Sequence, residues 1–381
     1  MRNWFALLTL SLTAAHAQDA VRLVFVDAAS PTAQVLDLQE KKVVGQFTVP
    51  GPAAGVYATP SKKYAVLVHR NENRITFLHS GFSTVDHGEH QDLVKNPPHV
   101  LQTIDVGRQP THYFAHGDQM VFFNDQDGTV ALMKESLLGL SMDTQTIKAE
   151  IPDHGAPALL GNHLLIGYLK LNRVDAVDLQ TLEVKNSFPG CPGLHGEALL
   201  GNTVAYGCQD GVLLIQNQNG ALSSQKFSNP SGTAEGVRVG TVLSHPEASG
   251  FFGNWGKGVV RIDTQAGLQP IPLSSTFIKG AFDGSGQTLV VLTADGQLHE
   301  ISADGKLKRS AQVVSPVDLA VSGVPRPGLA VHEGQAYVTD PATGEIVQVN
   351  LADWKVSSSF KVGGKPTGVV ALTIENAVDH E

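Results

Sequence analysis

One repeat unit of the chain reads Gly328-Leu-Ala-Val-His-Glu-Gly-Gln-Ala-Tyr-Val-Thr-Asp340, then Pro341-Ala-Thr-Gly344, then Glu345-Ile-Val-Gln-Val-Asn350, and then Trp354-Lys-Val-Ser-Ser-Ser-Phe-Lys-Val362. Short apolar runs alternate with tight turns that contain glycine, at Glu333-Gly334 and at Thr343-Gly344. This pattern is typical of antiparallel strands joined by hairpins. The unit therefore predicts four consecutive strands, which we call A, B, C and D in chain order.

The same unit recurs along the chain. The predicted A strands begin near Pro52, Pro110, Gly155, Leu194, Glu235, Phe277, Pro327 and Pro366. Their spacing is close to the roughly 40 to 45 residues of a four-stranded propeller blade. Repeats as divergent as these are also compatible with a β-sandwich, so the choice between the two depends on the ends of the chain.

The two ends are incomplete in complementary ways. Val21 to Val49 supplies only strands B, C and D, whereas Pro366 to Ile374 supplies only strand A. Together they complete one blade and close a ring, which removes exposed sheet edges. We therefore expect an all-β fold, a β-propeller of eight four-stranded blades with N- and C-terminal strand closure. The alternative is a propeller of seven blades, if the irregular stretch 230–275 does not form a blade of its own.

The N-terminus has the features of a secretory signal. Arg2 supplies a positive charge, an apolar run follows from Phe5 to Ala15, and Ala15-His16-Ala17 fits a cleavage site. We expect residues 1–17 to be a signal peptide and residues 18–381 to form a single exported domain. Charged or turn residues interrupt every later apolar run, so we expect no membrane insertion. The net charge of −9, without a basic cluster, argues against nucleic-acid binding.

The chain has two cysteines, Cys191 and Cys208. In an exported protein they favour one disulfide bond, with a cysteine-containing metal site or two free thiols as alternatives. A disulfide would hold the loop that presents His195.

Three histidines occupy nearly equivalent places at the starts of consecutive A strands: His112, His154 and His195. Because these starts converge on one mouth of the central channel, we expect the imidazoles to meet there. Three nitrogens with Glu235 or a water would make a tetrahedral zinc site. The alternative is that the three histidines are separate polar residues in loops and form no common site.

A second group of histidines is expected at the opposite face. His87 and His90 lie on an insertion between strands C and D, from about residue 80 to residue 98. His116 lies four residues after His112 on one strand, so the two are separated by roughly 13 Å at about 3.3 Å per residue and cannot share a metal. His116 would instead lie near the insertion. The alternative is that the insertion is a solvated polar loop that binds no metal. His79 and His99 flank the insertion and are weaker candidate ligands.

These motifs resemble those of one protein family. They are Asp86-His87-Gly88-Glu89-His90, Pro110-Thr-His112, Ala115-His116-Gly117-Asp118 and Cys191-Pro-Gly-Leu-His195-Gly-Glu197-Ala. In them the chain resembles the periplasmic zinc metallochaperones of the AztD type, which serve zinc ABC importers. The resemblance implies a periplasmic, monomeric Zn²⁺ carrier without catalytic residues, whose partner is the solute-binding protein of the importer. The metal ligands that it implies are His87, His90, His112, His116, His154 and His195.

The chain departs from that family pattern at two places. A histidine pair often stands where this chain has Asp153-His154, and a histidine often stands where it has Lys279. A lysine there would compete with a bound cation, so the channel-mouth site is expected to be weaker or differently composed.

Two other functions remain open from the residues. A lactonase-like propeller hydrolase would hold a metal at the same mouth and use Glu197 or Glu235 as its general base. A metal-free interaction scaffold of the cell envelope is the other alternative. Imidazole ligands also suit copper and nickel, so zinc is a preference and not a requirement of the residues.

Overall fold

The computed structural model describes residues 20–374 and 377–378. The expected signal peptide and cleavage site, residues 1–17, lie outside this part of the chain. The described residues form eight four-stranded antiparallel sheets and one small three-stranded sheet. A single 3-10 turn, Glu135–Leu137, is the only helical element among them. None of their helices is long and apolar enough to cross a membrane.

Each blade is described from its innermost strand outwards. The first four blades are β34 (Pro366–Leu372), β1 (Arg22–Asp27), β2 (Thr32–Asp37), β3 (Lys42–Thr48); β4 (Gly55–Ala58), β5 (Tyr64–His69), β6 (Arg74–His79), β9 (His99–Ile104); β10 (Pro110–His116), β11 (Gln119–Asn124), β12 (Thr129–Lys134), β13 (Gln145–Lys148); and β14 (Gly155–Leu160), β15 (His163–Tyr168), β16 (Arg173–Asp178), β17 (Val184–Pro189).

The remaining four blades follow in chain order. They are β18 (Glu197–Leu200), β19 (Thr203–Cys208), β20 (Gly211–Gln218), β21 (Ala221–Ser228); β22 (Val242–Leu243), β23 (Phe251–Asn254), β24 (Gly258–Asp263), β25 (Gly267–Pro272); β26 (Phe277–Phe282), β27 (Thr288–Thr293), β28 (Gln297–Ser302), β29 (Leu307–Gln312); and β30 (Leu329–His332), β31 (Gln335–Asp340), β32 (Glu345–Asn350), β33 (Lys355–Lys361).

The ring closes as the sequence predicts. β34 pairs antiparallel with β1, with Leu23 opposite Ala371 and Phe25 opposite Val369. The expectation of an eight-bladed propeller with composite closure is therefore confirmed, and the seven-bladed alternative is wrong. The irregular stretch 230–275 contains the complete sixth blade, whose innermost strand β22 is only two residues long.

The core lies between neighbouring blades. The middle strands are covered on both faces, so their residues are apolar without alternation, and all six residues of β15 are buried. In one cluster Leu165 of the fourth blade packs with Tyr206 and Leu213 of the fifth. The outermost strands carry polar residues, as in β17, where Phe188 is the only buried residue.

The predicted disulfide is present in the structure. Cys191 and Cys208 are bonded to each other and fully buried. The bond ties the connection between β17 and β18 to the end of β19. Within the region that the structure describes, no cysteine is free.

The insertion in the second blade forms a two-stranded hairpin. Its strands β7 (Phe82–Asp86) and β8 (Gln91–Lys95) pair antiparallel, and β35 (Ala377–Val378) pairs parallel with β8. Arg22 holds the base of this hairpin, because its guanidinium donates hydrogen bonds to the carbonyls of Ser80 at 2.6 Å and Asn96 at 2.7 Å.

Candidate metal centre

Three histidines from three successive blades meet at one mouth of the channel. The ligand atoms of His112, His154 and His195 all lie within 4.8 Å of one another. The Nε2 atom of His154 lies 3.2 Å from Nε2 of His112 and 3.2 Å from Nε2 of His195. The equivalent strand starts thus place three imidazole nitrogens around one point.

Local backbone features set the position of each ring. β10 shifts register between Pro110 and His112, so a bulge presents the first histidine. Asp153 caps the turn before β14 by accepting hydrogen bonds from the backbone N–H groups of His154 and Lys170, both at 2.8 Å. His195 is followed by Gly196, whose φ of 74° favours glycine.

The outer nitrogens of the rings face oxygen atoms. His154 Nδ1 lies 2.8 Å from Asp125 Oδ2, and His195 Nδ1 lies 2.5 Å from the carbonyl oxygen of Gly240. These oxygens accept hydrogen bonds, so in the neutral rings Nδ1 carries the proton and Nε2 has the free lone pair. His112 Nδ1 lies 3.7 Å from Glu197 Oε2, which favours the same tautomer electrostatically.

The spacing suits a tetrahedral metal ion. Zinc–nitrogen bonds of about 2.0 to 2.1 Å at tetrahedral angles separate neighbouring nitrogens by about 3.3 Å. The two shortest Nε2–Nε2 distances here are 3.2 Å. Lone pairs from three rings at this separation repel one another unless a cation lies between them. The cluster could therefore hold a metal ion with three protein ligands and one open position.

Two buried carboxylates add negative charge beside the imidazoles. The Glu197 side chain is 5% exposed, and its Oε2 atom has no hydrogen-bond partner. Asp125 is also buried and forms an ion pair with Arg70 at 3.1 Å. A bound dication would offset the desolvation of both carboxylates.

The electrostatic environment shifts the pKa values of three of these groups. Burial lowers the pKa of His112, but the nearby negative charge of Glu197 outweighs burial and raises it overall. Burial lowers the pKa of His195. Burial opposes ionisation of Asp125, but the hydrogen bond from His154 more than compensates, so the pKa of this carboxyl is lowered. The site therefore favours ionised Asp125 and neutral His195.

Glu235, considered from the sequence as a fourth ligand, is exposed and lies outside the histidine group. Glu197 lies closer to the three histidines than Glu235 does. Its position two residues after His195 is the sequence signal that could have identified it as part of the site.

At the opposite face, the tip of the β7–β8 hairpin brings His87 and His90 together. Their Nε2 atoms lie 3.1 Å and 2.9 Å from the two carboxylate oxygens of Asp92. Both rings are about half exposed and lie 5.9 Å apart between centroids. Sequence reasoning did not single out Asp92 as their shared partner.

His116 ends β10 and is exposed. Among the residues that the structure describes, it does not join His87 and His90 in a group with metal-binding spacing. His79 and His99 stack at the base of the hairpin with ring centroids 5.0 Å apart. Burial, with the nearby charges of His99 and Lys63, lowers the pKa of His79 to about 4, so this ring is neutral.

Comparisons with known proteins agree with this architecture. No family model matches the chain. The chain is 27% identical to the zinc chaperone AztD of Citrobacter koseri in an alignment of 399 residues that covers 98% of this chain and 94% of that protein. The crystal structure of Citrobacter koseri AztD superposes with a TM-score of 0.86 at 24% identity, over 95% of this chain and all of that one. The apo structure of that protein gives 0.84 at 25% identity with the same coverage. The similarity to zinc chaperones of the AztD type, which the motifs indicate, therefore extends along nearly the whole chain.

Proposed function

We propose that this protein is a periplasmic zinc metallochaperone. After cleavage behind Ala17, residues 18–381 form one monomeric propeller domain that carries Zn²⁺ to the solute-binding protein of a zinc ABC importer. The observation that carries the proposal is the convergence of His112, His154 and His195, whose ligand atoms lie within 4.8 Å of one another and whose two shortest Nε2–Nε2 distances match the spacing of zinc ligands. The similarity to a zinc chaperone over nearly the whole chain supports it.

A carrier must bind its metal tightly and still release it to a partner. The side chain of His112 is 16% exposed and that of His154 is 30% exposed, so the site is enclosed but reachable from the channel mouth. Three protein ligands leave a fourth coordination position for water or for an incoming ligand of the partner. The partner can then replace the histidines one at a time, beginning with His154, the more exposed of these two.

The hairpin histidines act in capture or delivery in this proposal. His87 and His90 are exposed and already share the carboxylate of Asp92, so they offer a weaker and more accessible site than the channel mouth. His116 lies at the same face and would supply a further transient ligand.

One observation favours a second candidate function. The buried and unpartnered Oε2 atom of Glu197 lies beside the proposed metal site, where a general base would stand in a metal-dependent hydrolase. Hydrolysis of a panel of lactones by the zinc-loaded protein would support this lactonase-like alternative, whereas no turnover would favour the carrier.

The first experiment is a zinc titration of the metal-free protein against a competing chelator. His112→Ala, His154→Ala and His195→Ala should each weaken zinc affinity at least about tenfold, or 1.4 kcal/mol. His245→Ala is the matched control, because it removes a partly buried histidine of the sixth blade that lies outside the channel-mouth group. If the three channel variants keep full affinity, the proposed site is wrong.

The second experiment follows zinc transfer to a purified zinc-binding solute-binding protein. The double variant His87→Ala with His90→Ala should slow transfer and leave one bound zinc equivalent. If this variant loses all zinc instead, the hairpin holds the tight site and the two faces have the opposite roles.

A further inference from the structure

The channel mouth contains a cavity on the side away from the histidines. It has a volume of about 280 Å³ and is lined by residues of the seventh, eighth, first and second blades, including Tyr57, Lys279 and Arg326. β26 shifts register between Phe277 and Lys279 as β10 does between Pro110 and His112. Lys279 thus takes the place in the seventh blade that His112 takes in the third.

Two cations line this cavity without counter-ions. Neither the Lys279 side chain nor the Arg326 side chain forms a hydrogen bond or ion pair with any other described residue, and no described carboxylate lines the cavity. Lys279 is surrounded by the channel wall but accessible to solvent from the lumen, and this enclosure lowers the pKa of its amine. Both side chains reach solvent in the channel mouth, and a bound anion would interact favourably with their two positive charges.

A neutral hydrogen-bond donor lines the same cavity as the two cations. Tyr57 lines the same cavity, and burial followed by the charge of Glu197 raises the pKa of its phenol to about 12. The hydroxyl therefore keeps its proton at neutral pH and can donate a hydrogen bond to an oxygen atom. An ammonium, a planar guanidinium and a phenol together match an anion with several oxygens.

We propose that this half of the channel mouth binds a small oxyanion, a carboxylate or phosphate with at least two oxygens, held by Lys279 and Arg326 with Tyr57 as a hydrogen-bond donor. The cavity exceeds the volume of a single phosphate, so a di- or tricarboxylate also fits. The proposal does not depend on zinc binding, because the residues that carry it belong to other blades.

The experiment is calorimetric titration of the metal-free full chain with inorganic phosphate and with malonate. Saturable binding of at least one probe with one equivalent is expected. Lys279→Met should weaken it at least about tenfold, and Lys279→Arg should retain it because the charge is kept. Lys185→Met is the matched control, since Lys185 lies on the exposed outer strand β17. His112→Ala should weaken zinc binding and leave anion binding unchanged.

Absence of saturable binding by either probe would overturn the proposal, as would unchanged affinity in Lys279→Met. If Lys279→Met does not fold, the same titration is made with Arg326→Gln. A clear loss of affinity for the anion in that variant supports the site, and full affinity for the anion overturns the proposal.

Discussion

At the scale of single residues, Asp125 links the propeller wall to the metal centre. Its Oδ2 atom accepts hydrogen bonds from His154 Nδ1 at 2.8 Å and from Arg70 Nη2 at 3.1 Å. The guanidinium holds the carboxylate, and the carboxylate holds the ring with Nε2 directed at His112 and His195. Asp125 therefore acts as a positioning residue, because it reaches the proposed metal only through His154.

Replacing Asp125 with Asn should lower zinc affinity by roughly ten- to a hundredfold, as for other carboxylates that orient metal-binding histidines. Competition with a chromophoric chelator measures the affinity, and ¹⁵N NMR of the histidine rings should show a mixed tautomer for His154. Asp127→Asn is the matched control, since Asp127 lies in the same turn between β11 and β12 but accepts hydrogen bonds from Arg108 and Thr129. Equal affinities in the two variants would contradict the role of Asp125.

Zinc affinity should fall as the pH is lowered from about 8 to about 5.5, because a protonated imidazole cannot bind a metal. Burial lowers the pKa of His112, but Glu197 raises it overall, so the loss should begin above the ordinary histidine value of about 6.5. Glu197→Gln removes the raising interaction and should shift the loss to lower pH. The measurement is zinc occupancy against pH for the parent protein and for Glu197→Gln, each normalised to its value at pH 8. If the two curves superimpose, Glu197 does not set the pH at which zinc is lost.

At the scale of elements, the connection from β17 to β18 shows how a loop is made rigid enough to present a ligand. The Cys191–Cys208 bond fixes its start, and the His195 N–H donates to the Gly207 carbonyl at 2.9 Å. The ring then lies in a fixed relation to the first two strands of the fifth blade.

Cys191→Ala with Cys208→Ala should lower the free energy of unfolding by about 3 kcal/mol, the loop-entropy value for a bond between residues 17 apart in sequence. Urea unfolding with and without reductant measures this free energy. Reductant should lower the stability of the parent protein and leave that of the double variant unchanged. The variant should also bind zinc more weakly, because the loop that carries His195 gains freedom. Two alkylatable thiols in the parent protein as exported would contradict the disulfide.

At the scale of the whole molecule, ring closure depends on two segments from opposite ends of the chain. β34 covers β1 on one side and contacts the innermost strands β4 and β30 of both neighbouring blades. The Gly364 turn lies against Asp27, which accepts a hydrogen bond from the Lys365 N–H at 2.8 Å. Without β34, the edge of β1 would be exposed to other chains.

Deleting residues 366–381 should therefore lower the melting temperature and cause aggregation, because an unpaired apolar strand edge promotes association. Deleting only residues 375–381 keeps β34 and is the matched control. Thermal unfolding and size-exclusion chromatography measure the two effects. If both truncated proteins behave like the full chain, closure by β34 does not stabilise the ring.

Much of the architecture follows from local sequence signals. Short apolar runs, glycine turns and the complementary ends of the chain were enough to predict eight blades and the composite first blade. The two cysteines were enough to favour a disulfide. Equivalent positions in the repeat also indicated that His112, His154 and His195 would meet, because the innermost strands of a propeller converge on one axis.

The details that orient the site come from contacts between blades, which no local pattern encodes. Asp125 and Gly240 hold the outer nitrogens of rings that belong to other blades, and Glu197 approaches His112 across two blade boundaries. The hairpin strands β7 and β8, the pairing of β35 with β8 and the joint use of Asp92 by His87 and His90 were likewise not foreseen. A repeat specifies where each strand begins, but side-chain directions across the channel depend on how neighbouring blades pack.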